Sequence, residues 1–223
     1  MPAFFARREG NRAVIEGGDA RHLARSLRAR VGEEIEVIDP GGYMLTVRLE
    51  AVSTDRVEGV VVSERRHQPE SVAKITIAVA NLPAPALELV LSRCTEAGAF
   101  AFHIFQADRS VARGVKAERW QTICREAAML AGRLRVPDVD ALPFLEDVLK
   151  VAGHPVMLAR GAPQSLAKMP NPRDITLLVG PEGGWTDREL GVVATRAGLG
   201  PRNLRADTAA IVGLAVALAA RED

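Results

Sequence analysis

From Lys74 onward, runs of strand length alternate with longer segments of helical apolar spacing, and that alternation restricts the fold more than any other feature of the chain. KITIAVA precedes a helix through LELVLSRCTEAG, AFHIFQ precedes a helix around RWQTICREAAMLAG, and PVMLAR and ITLLVG lead to two further helices. The pattern predicts an α/β domain with a mostly parallel sheet covered on both faces. In such sheets ligands sit beyond the carboxyl ends of the strands. The last helix, TAAIVGLAVALAA, is apolar on every side and is expected to be buried all round, in a dimer interface or as the central helix of a monomeric core.

Residues 12–66 read differently. AVIE, EIEVID, YMLTVRLEAV and RVEGVVVSE are strand-like and are separated by the turns PGG and STD, with one helix, DARHLARSLRARVG, among them. Leu23 and Leu27 stand four apart and are expected to face a core, leaving Arg21, Arg25 and Arg28 on or near the opposite side. HQPESVA reads as a connector. The expected organisation is a β-rich domain over 1–68, a linker over 69–73 and the α/β domain over 74–223.

A chain of 223 residues with 48% hydrophobic residues can supply the core of one large or two small domains. MPAFFARREGNR carries no apolar run like a signal peptide, and Ala209–Ala220 is too short to span a membrane. The expected location is the cytoplasm, with no membrane association. Cys94 and Cys124 fall in segments of helical spacing and are expected to be buried, reduced thiols. His22, His67, His103 and His154 are scattered without ligand spacing, so no metal is expected.

Net charge is only +1, but it is unevenly placed. Arg7, Arg8, Arg12, Arg21, Arg25, Arg28 and Arg30 face only Glu9, Glu16 and Asp19 in the first thirty residues. A second basic stretch runs from Arg109 to Arg135, with Arg113, Lys116, Arg119, Arg125 and Arg133 between them against Glu118 and Glu126. Guanidinium groups fork onto phosphate and stack on bases. A GC-rich genome would raise Arg content equally, so the clustering carries the nucleic-acid reading.

Two glycine-marked breaks, GPEGGW and LGPRNLR, follow a buried strand or a helix end within Ile175–Ala220. Glycine lets backbone approach a ligand closely. GPEGGW has neither the G-x-G-x-x-G spacing of dinucleotide folds nor the Lys-Ser/Thr ending of a P-loop. After it, Thr186 or Asp187 is expected to cap a helix.

LLVGPEGGW and LGPRNLRADTAA, in that order, resemble the signature of the RsmE family, 16S ribosomal RNA uridine N3-methyltransferases of the knotted SPOUT class. GRLRVP at Gly132–Pro137, DRSV at Asp108–Val111 and HLARSLRARVGE at His22–Glu33 extend the resemblance over nearly the whole chain. It implies an N-terminal PUA-like β-barrel domain that binds RNA, a C-terminal SPOUT α/β domain with a deep trefoil knot, S-adenosylmethionine as donor, 16S rRNA in the small ribosomal subunit as partner, and a homodimer. The matching motifs imply a cofactor site of Leu158, Leu178, Gly180, Pro181, Glu182, Gly183, Gly184, Leu199, Gly200, Asn203, Leu204, Arg205, Thr208 and Ala209. Thr208 and Ala209 are expected to open the last helix, whose N-cap would be Asp207 or Thr208. Glu182 either balances the sulfonium or orients its loop by accepting backbone amides.

Uridine N3 must lose its imino proton before it can attack a methyl group. Arginine stays protonated, yet it can stabilise charge developing on the uracil oxygens. Arg109, Arg133 and Arg205 are assigned that catalytic role or a phosphate-anchoring one, with Asp207 or Asp108 to take the proton. Arg7, Arg21, Arg25, Arg28, Arg113 and Arg135 are assigned to RNA binding. The chain departs from the family pattern at Met129 and Leu130, at Leu134, at Asn203 and at Asp207. Methylation of another RNA, or a noncatalytic role in ribosome assembly, stands as the alternative.

Overall fold

The computed structural model describes residues 3–169 and 174–221. By contacts the chain divides into two compact units: residues up to Glu70 together with Ala128–Arg135, and Ser71–Ala127 together with Val136 onward. The short segment 128–135 thus packs with residues far from it in sequence.

The first unit is a six-stranded sheet of β1 (Phe4–Phe5), β2 (Arg7–Glu9), β3 (Arg12–Glu16), β4 (Glu34–Asp39), β5 (Tyr43–Val52) and β6 (Arg56–Arg66), in the order β1-β4-β5-β6-β3-β2. Every pairing is antiparallel except β1 with β4. Its strands bury Val37, Leu45, Leu49 and Val57 around Phe4, and Leu23 joins them from the intervening helical segment. Met129 also packs into this core. At Gly59 a Cβ would lie 2.2 Å from the Arg48 carbonyl oxygen, so the close β5–β6 approach admits only glycine.

The helix expected over DARHLARSLRARVG is shorter than its pattern. α1 (Gly17–Arg21) passes into a π-helical turn at His22–Ser26, and the chain then reverses through Arg28 at φ 54°. The Leu27 amide donates to His22 O and the Ala29 amide to Leu23 O, closing the helix end as a left-handed glycine commonly does. Leu23 is therefore fully buried, while Leu27, expected beside it, is 39% exposed because the widened turn rotates it away.

The second unit contains β7 (Lys74–Ala80), α2 (Ala84–Ala97), β8 (Ala101–Gln106), α3 (Ala117–Ala131, whose last residues belong to the first unit), β9 (Asp138–Phe144), α4 (Leu145–Val151), β10 (Pro155–Leu158), β11 (Asp174–Val179), α5 (Asp187–Val192), β12 (Arg196–Ala197) and α6 (Ala206–Ala219). The sheet order is β12-β10-β11-β7-β8-β9, and every pair is parallel. Side chains alternate across it. Ile75, Ile77 and Leu177 pack with Leu91 of α2, Cys124 of α3 and Leu214 of α6, whereas Ala78, Phe105 and Leu178 pack with Leu145 and Val148 of α4. Cys94 and Cys124 are buried thiols, and burial pushes the Cys94 thiol up.

Within one chain α6 is not the all-round-buried central helix of a monomeric core. Ala210, Gly213, Leu214 and Ala217 face the core, but Thr208, Val212, Ala215 and Ala219 form an exposed stripe at helical spacing, because only one face packs on the sheet and α2. Among the described residues no helix is long and apolar enough to cross a membrane.

Candidate functional site

At the carboxyl ends of β10 and β11 the chain opens a cavity of about 400 Å³. One wall is Val179–Glu182 with Gly184 and Trp185; the other is Ala197, Leu199, Gly200 and Arg202–Ala206, with Leu158 and Ala209 between. Trp185 ties the first wall together. Its indole N–H donates to Leu158 O at 2.9 Å, and its ring stacks on Phe105 with centroids 6.2 Å apart and planes 7° from parallel. A Cβ on Gly180 would stand 2.8 Å from this ring, which explains the glycine by close approach. Gly213 plays the same part behind the second wall, where a Cβ would meet Leu158 at 2.8 Å.

The loop of the first wall is fixed from outside the cavity. Thr186 caps α5, and Glu189 completes a capping box. The Glu189 carboxylate is fully buried and accepts the Thr186 amide at 2.9 Å and the Asp108 amide at 3.0 Å. Asp108 in turn accepts from Arg188 at 2.6 Å and from the Thr186 hydroxyl at 2.7 Å, and Arg188 also pairs with Glu146. The Arg188 and Thr186 hydrogen bonds hold the Asp108 carboxyl below its ordinary range. Arg109 donates to Gly183 O and Trp185 O at 3.0 and 3.3 Å.

The second wall ends at α6. Arg205, in extended conformation, is its N-cap position, so the helix begins at Ala206, two residues before the expected start. The Arg205 guanidinium lies 3.4 Å from Asp207 and 3.8 Å from Glu182, bridging the two walls. Asp207 is buried and accepts the Thr208 amide at 2.7 Å.

Of the residues expected at the cofactor site, Leu158, Gly180, Pro181, Glu182, Gly184, Leu199, Gly200, Asn203, Leu204, Arg205 and Ala209 line this cavity. Leu178 instead points to the opposite face of the sheet, since alternate residues of a strand must. Gly183 is turned toward Arg109, and Thr208 lies on the exposed stripe of α6. Glu182 pairs with Arg205, and the loop's amide-accepting carboxylate is Glu189, which the capping-box spacing Thr186-x-x-Glu189 would have pointed to. Asp108 is committed to Arg188 and Thr186, which opposes a role as base. Arg109 braces the loop rather than lining the cavity. Arg133 belongs to the first unit, where it is buried at 4% exposure against Glu70, whose carboxylate also accepts the Leu134 amide. Its guanidinium therefore has a structural partner.

The basic residues separate into two kinds. Arg7 pairs with Glu9 and Glu16, as Arg12 and Arg48 pair with neighbouring acids on the sheet. Arg21, Arg25 and Arg28 are exposed, and among the described residues none has an acidic partner. Arg113 is exposed with its guanidinium donating to Ser110 O and Ala112 O, and Arg135 is half-buried.

The RNA methyltransferase domain family matches residues 68–218, and the RNA methyltransferase PUA domain matches residues 15–62. The chain belongs to the RNA methyltransferase family. Ribosomal RNA small subunit methyltransferase E of Synechocystis is 36% identical over 87% of this chain and 68% of its own length. The protein of that name from Bacillus subtilis is 29% identical over 90% and 87%. A structure of ribosomal RNA small subunit methyltransferase E from Neisseria gonorrhoeae, bound to S-adenosyl methionine, superposes with a TM-score of 0.84 at 27% identity, covering 96% of this chain and 95% of that one. This RNA methyltransferase thus joins a PUA-like N-terminal unit to a C-terminal unit built on a parallel sheet, and its likeness to the RsmE group extends through both.

Proposed function

We propose that this RNA methyltransferase transfers a methyl group from S-adenosylmethionine to N3 of one uridine in 16S ribosomal RNA of the small ribosomal subunit. The observation that carries the reading is that GPEGGW and LGPRNLR, separated in sequence by α5 and β12, form two walls of one cavity. The residues fit that donor. Leu158, Leu199, Leu204 and Ala209 offer an apolar slot for the adenine, and the backbone of Gly180–Gly184 offers polar groups to its edge. When bound, the donor supplies a methyl group activated by a positively charged sulfur.

Arg205 is the chain's group best placed for the uracil. It lines the cavity with a largely exposed guanidinium, and Asp207 holds it from below. A fixed guanidinium stabilises the charge that builds on a uracil oxygen as the imino proton leaves to solvent water, and the N3 lone pair so freed attacks the methyl group as its bond to sulfur breaks. Asp207 thereby acts as a positioning residue for Arg205. In the first unit Arg21, Arg25 and Arg28, exposed and without acidic partners among the described residues, serve as phosphate contacts. Arg28 adopts a left-handed conformation that costs a non-glycine residue free energy, which suits a binding turn.

Two further features complete the proposal. β12 returns to pair with β10, and α6 then packs on β7, β11 and the turn at Leu166–Lys168, an arrangement that supports the trefoil knot implied by the family resemblance. Val212, Ala215 and Ala219 make most of the exposed stripe of α6 apolar, which supports a homodimer. Calorimetry with S-adenosylmethionine, paired with methylation assays of Arg205→Ala, tests the site. The variant is expected to keep donor affinity while its rate falls about a hundredfold. Full activity in Arg205→Ala would remove the catalytic assignment, and absent donor binding by the parent chain would remove the function.

A further inference from the structure

Two arginines at the cavity take no part in the chemistry proposed for the uracil. Arg160 follows β10 and Arg202 lies in the second glycine break, and both line the cavity. Among the described residues neither has an acidic partner or a side-chain hydrogen bond, whereas Arg205 is held by Glu182 and Asp207. A second, open depression of about 680 Å³ adjoins the first, lined by Arg160–Ser165, Gly198, Gly200 and Pro201. Arg160 and Gly200 line both hollows. The Arg202 guanidinium lies 3.9 Å from where a Cβ on Gly200 would stand, so Arg202 stands beside one of the two residues that the hollows share, and Arg160 is the other.

The charge balance at this boundary points to an anion. Three arginines and a single carboxylate, Glu182, line the first cavity. The proposed donor carries one more positive than negative charge, so two unpaired guanidinium groups beside it oppose its binding unless a negative group sits between. The donor's own carboxylate is one such group, but it would not extend into the second hollow. A strand of RNA supplies a phosphate at every nucleotide, and its path past a target base inserted in the cavity must continue along the surface. The second hollow offers that path. Its lining is loop, and a Cβ on Gly161 would meet nothing within 4 Å, which leaves room there for a bulky strand.

We infer that Arg160 and Arg202 form a phosphate clamp for the RNA backbone beside the target nucleotide, with the second hollow holding the adjoining stretch of strand. The inference rests on the function proposed above. Arginine suits the task because its planar fork meets a phosphate with two hydrogen bonds.

The test compares the parent chain with Arg160→Gln, Arg202→Gln, the double Gln variant and the double Lys variant. Donor affinity is read by calorimetry, and RNA binding and methylation are read with small-subunit RNA at several salt concentrations. The double Gln variant is expected to raise KM for RNA by about tenfold or more and to flatten the salt dependence by roughly 0.7 in log–log slope for each phosphate that is no longer neutralised. Donor affinity measured without RNA should not fall and should rise modestly as the repulsion of the two guanidinium groups is removed, and the Lys pair should recover much of the RNA affinity because a point charge still attracts phosphate. Weaker donor binding with unchanged RNA binding would overturn the clamp in favour of the donor carboxylate. No change in either quantity would overturn it in favour of simple solvated arginines. Equilibrium RNA binding reads the clamp even where the parent chain transfers no methyl group, so failure of the clamp and failure of the proposed function are told apart.

Discussion

Gly180 and Glu189 show how single residues set the cavity wall. A methyl group at 180 must displace the Trp185 ring, and the ring cannot move without giving up its stack on Phe105 and its hydrogen bond to Leu158 O. Gly180→Ala is expected to lower stability by about 1–3 kcal/mol through overpacking, and to weaken donor binding by more than tenfold, roughly 1.4 kcal/mol. Thermal melts and calorimetry check both, and unchanged values would show the ring to be loosely held. Glu189→Gln replaces one acceptor oxygen by an amide that faces a backbone N–H, so one buried donor is left without a partner. The expected cost is about 1–3 kcal/mol, measured by denaturant unfolding. Met129 belongs with these residues: it is buried in one cluster with Phe4, Leu23 and Val37, which is a packing role.

At the scale of elements, the loop after β8, the start of α5 and α4 are joined through Asp108, Thr186, Arg188 and Glu146. The depressed Asp108 carboxyl makes this junction pH-dependent. Its stabilising contribution is present above the unfolded-state value, about 4, and is lost as pH falls through the lower native value. The stability difference between the parent chain and Asp108→Asn should therefore narrow as pH falls below about 5, as followed by urea melts. A constant difference would mean that the ion pair contributes nothing. Other elements show where sequence is informative. β5, β7 and β8 have the bounds that their apolar runs predict, because turns or glycines frame them on both sides. β9 and α4 escape such reading: DVDALPF is an exposed edge strand with no clear alternation, and LEDVLKV has only seven residues. The glycine breaks make the cavity legible, since they are local. Glu189 is legible as the partner of Thr186 in a capping box, but its bond to the Asp108 amide, the Trp185–Phe105 stack and the Asp108–Arg188 pair are not, because they exist only once residues about eighty positions apart have met.

At the scale of the molecule, the same logic explains why residues 128–135 read as part of the α/β stretch of the chain although they pack with the first unit. Local patterning assigns a segment to its neighbours in sequence, and only the folded chain shows its neighbours in space. The exposed stripe on α6 gives a prediction at this scale. Val212→Glu places a charge in the middle of the proposed dimer face, and sedimentation is expected to show dimers for the parent chain and monomers for the variant. A monomeric parent chain would remove the dimer.

The central claim is that this chain methylates one small-subunit uridine at N3. Mass mapping of ribosomal RNA from cells lacking the gene, before and after its return, measures that claim most directly. Loss of a single methyl group from one 16S uridine, restored by the parent chain but not by Arg205→Ala, is the predicted result. A 16S RNA whose uridine methylation is unchanged by the loss of the gene would contradict it.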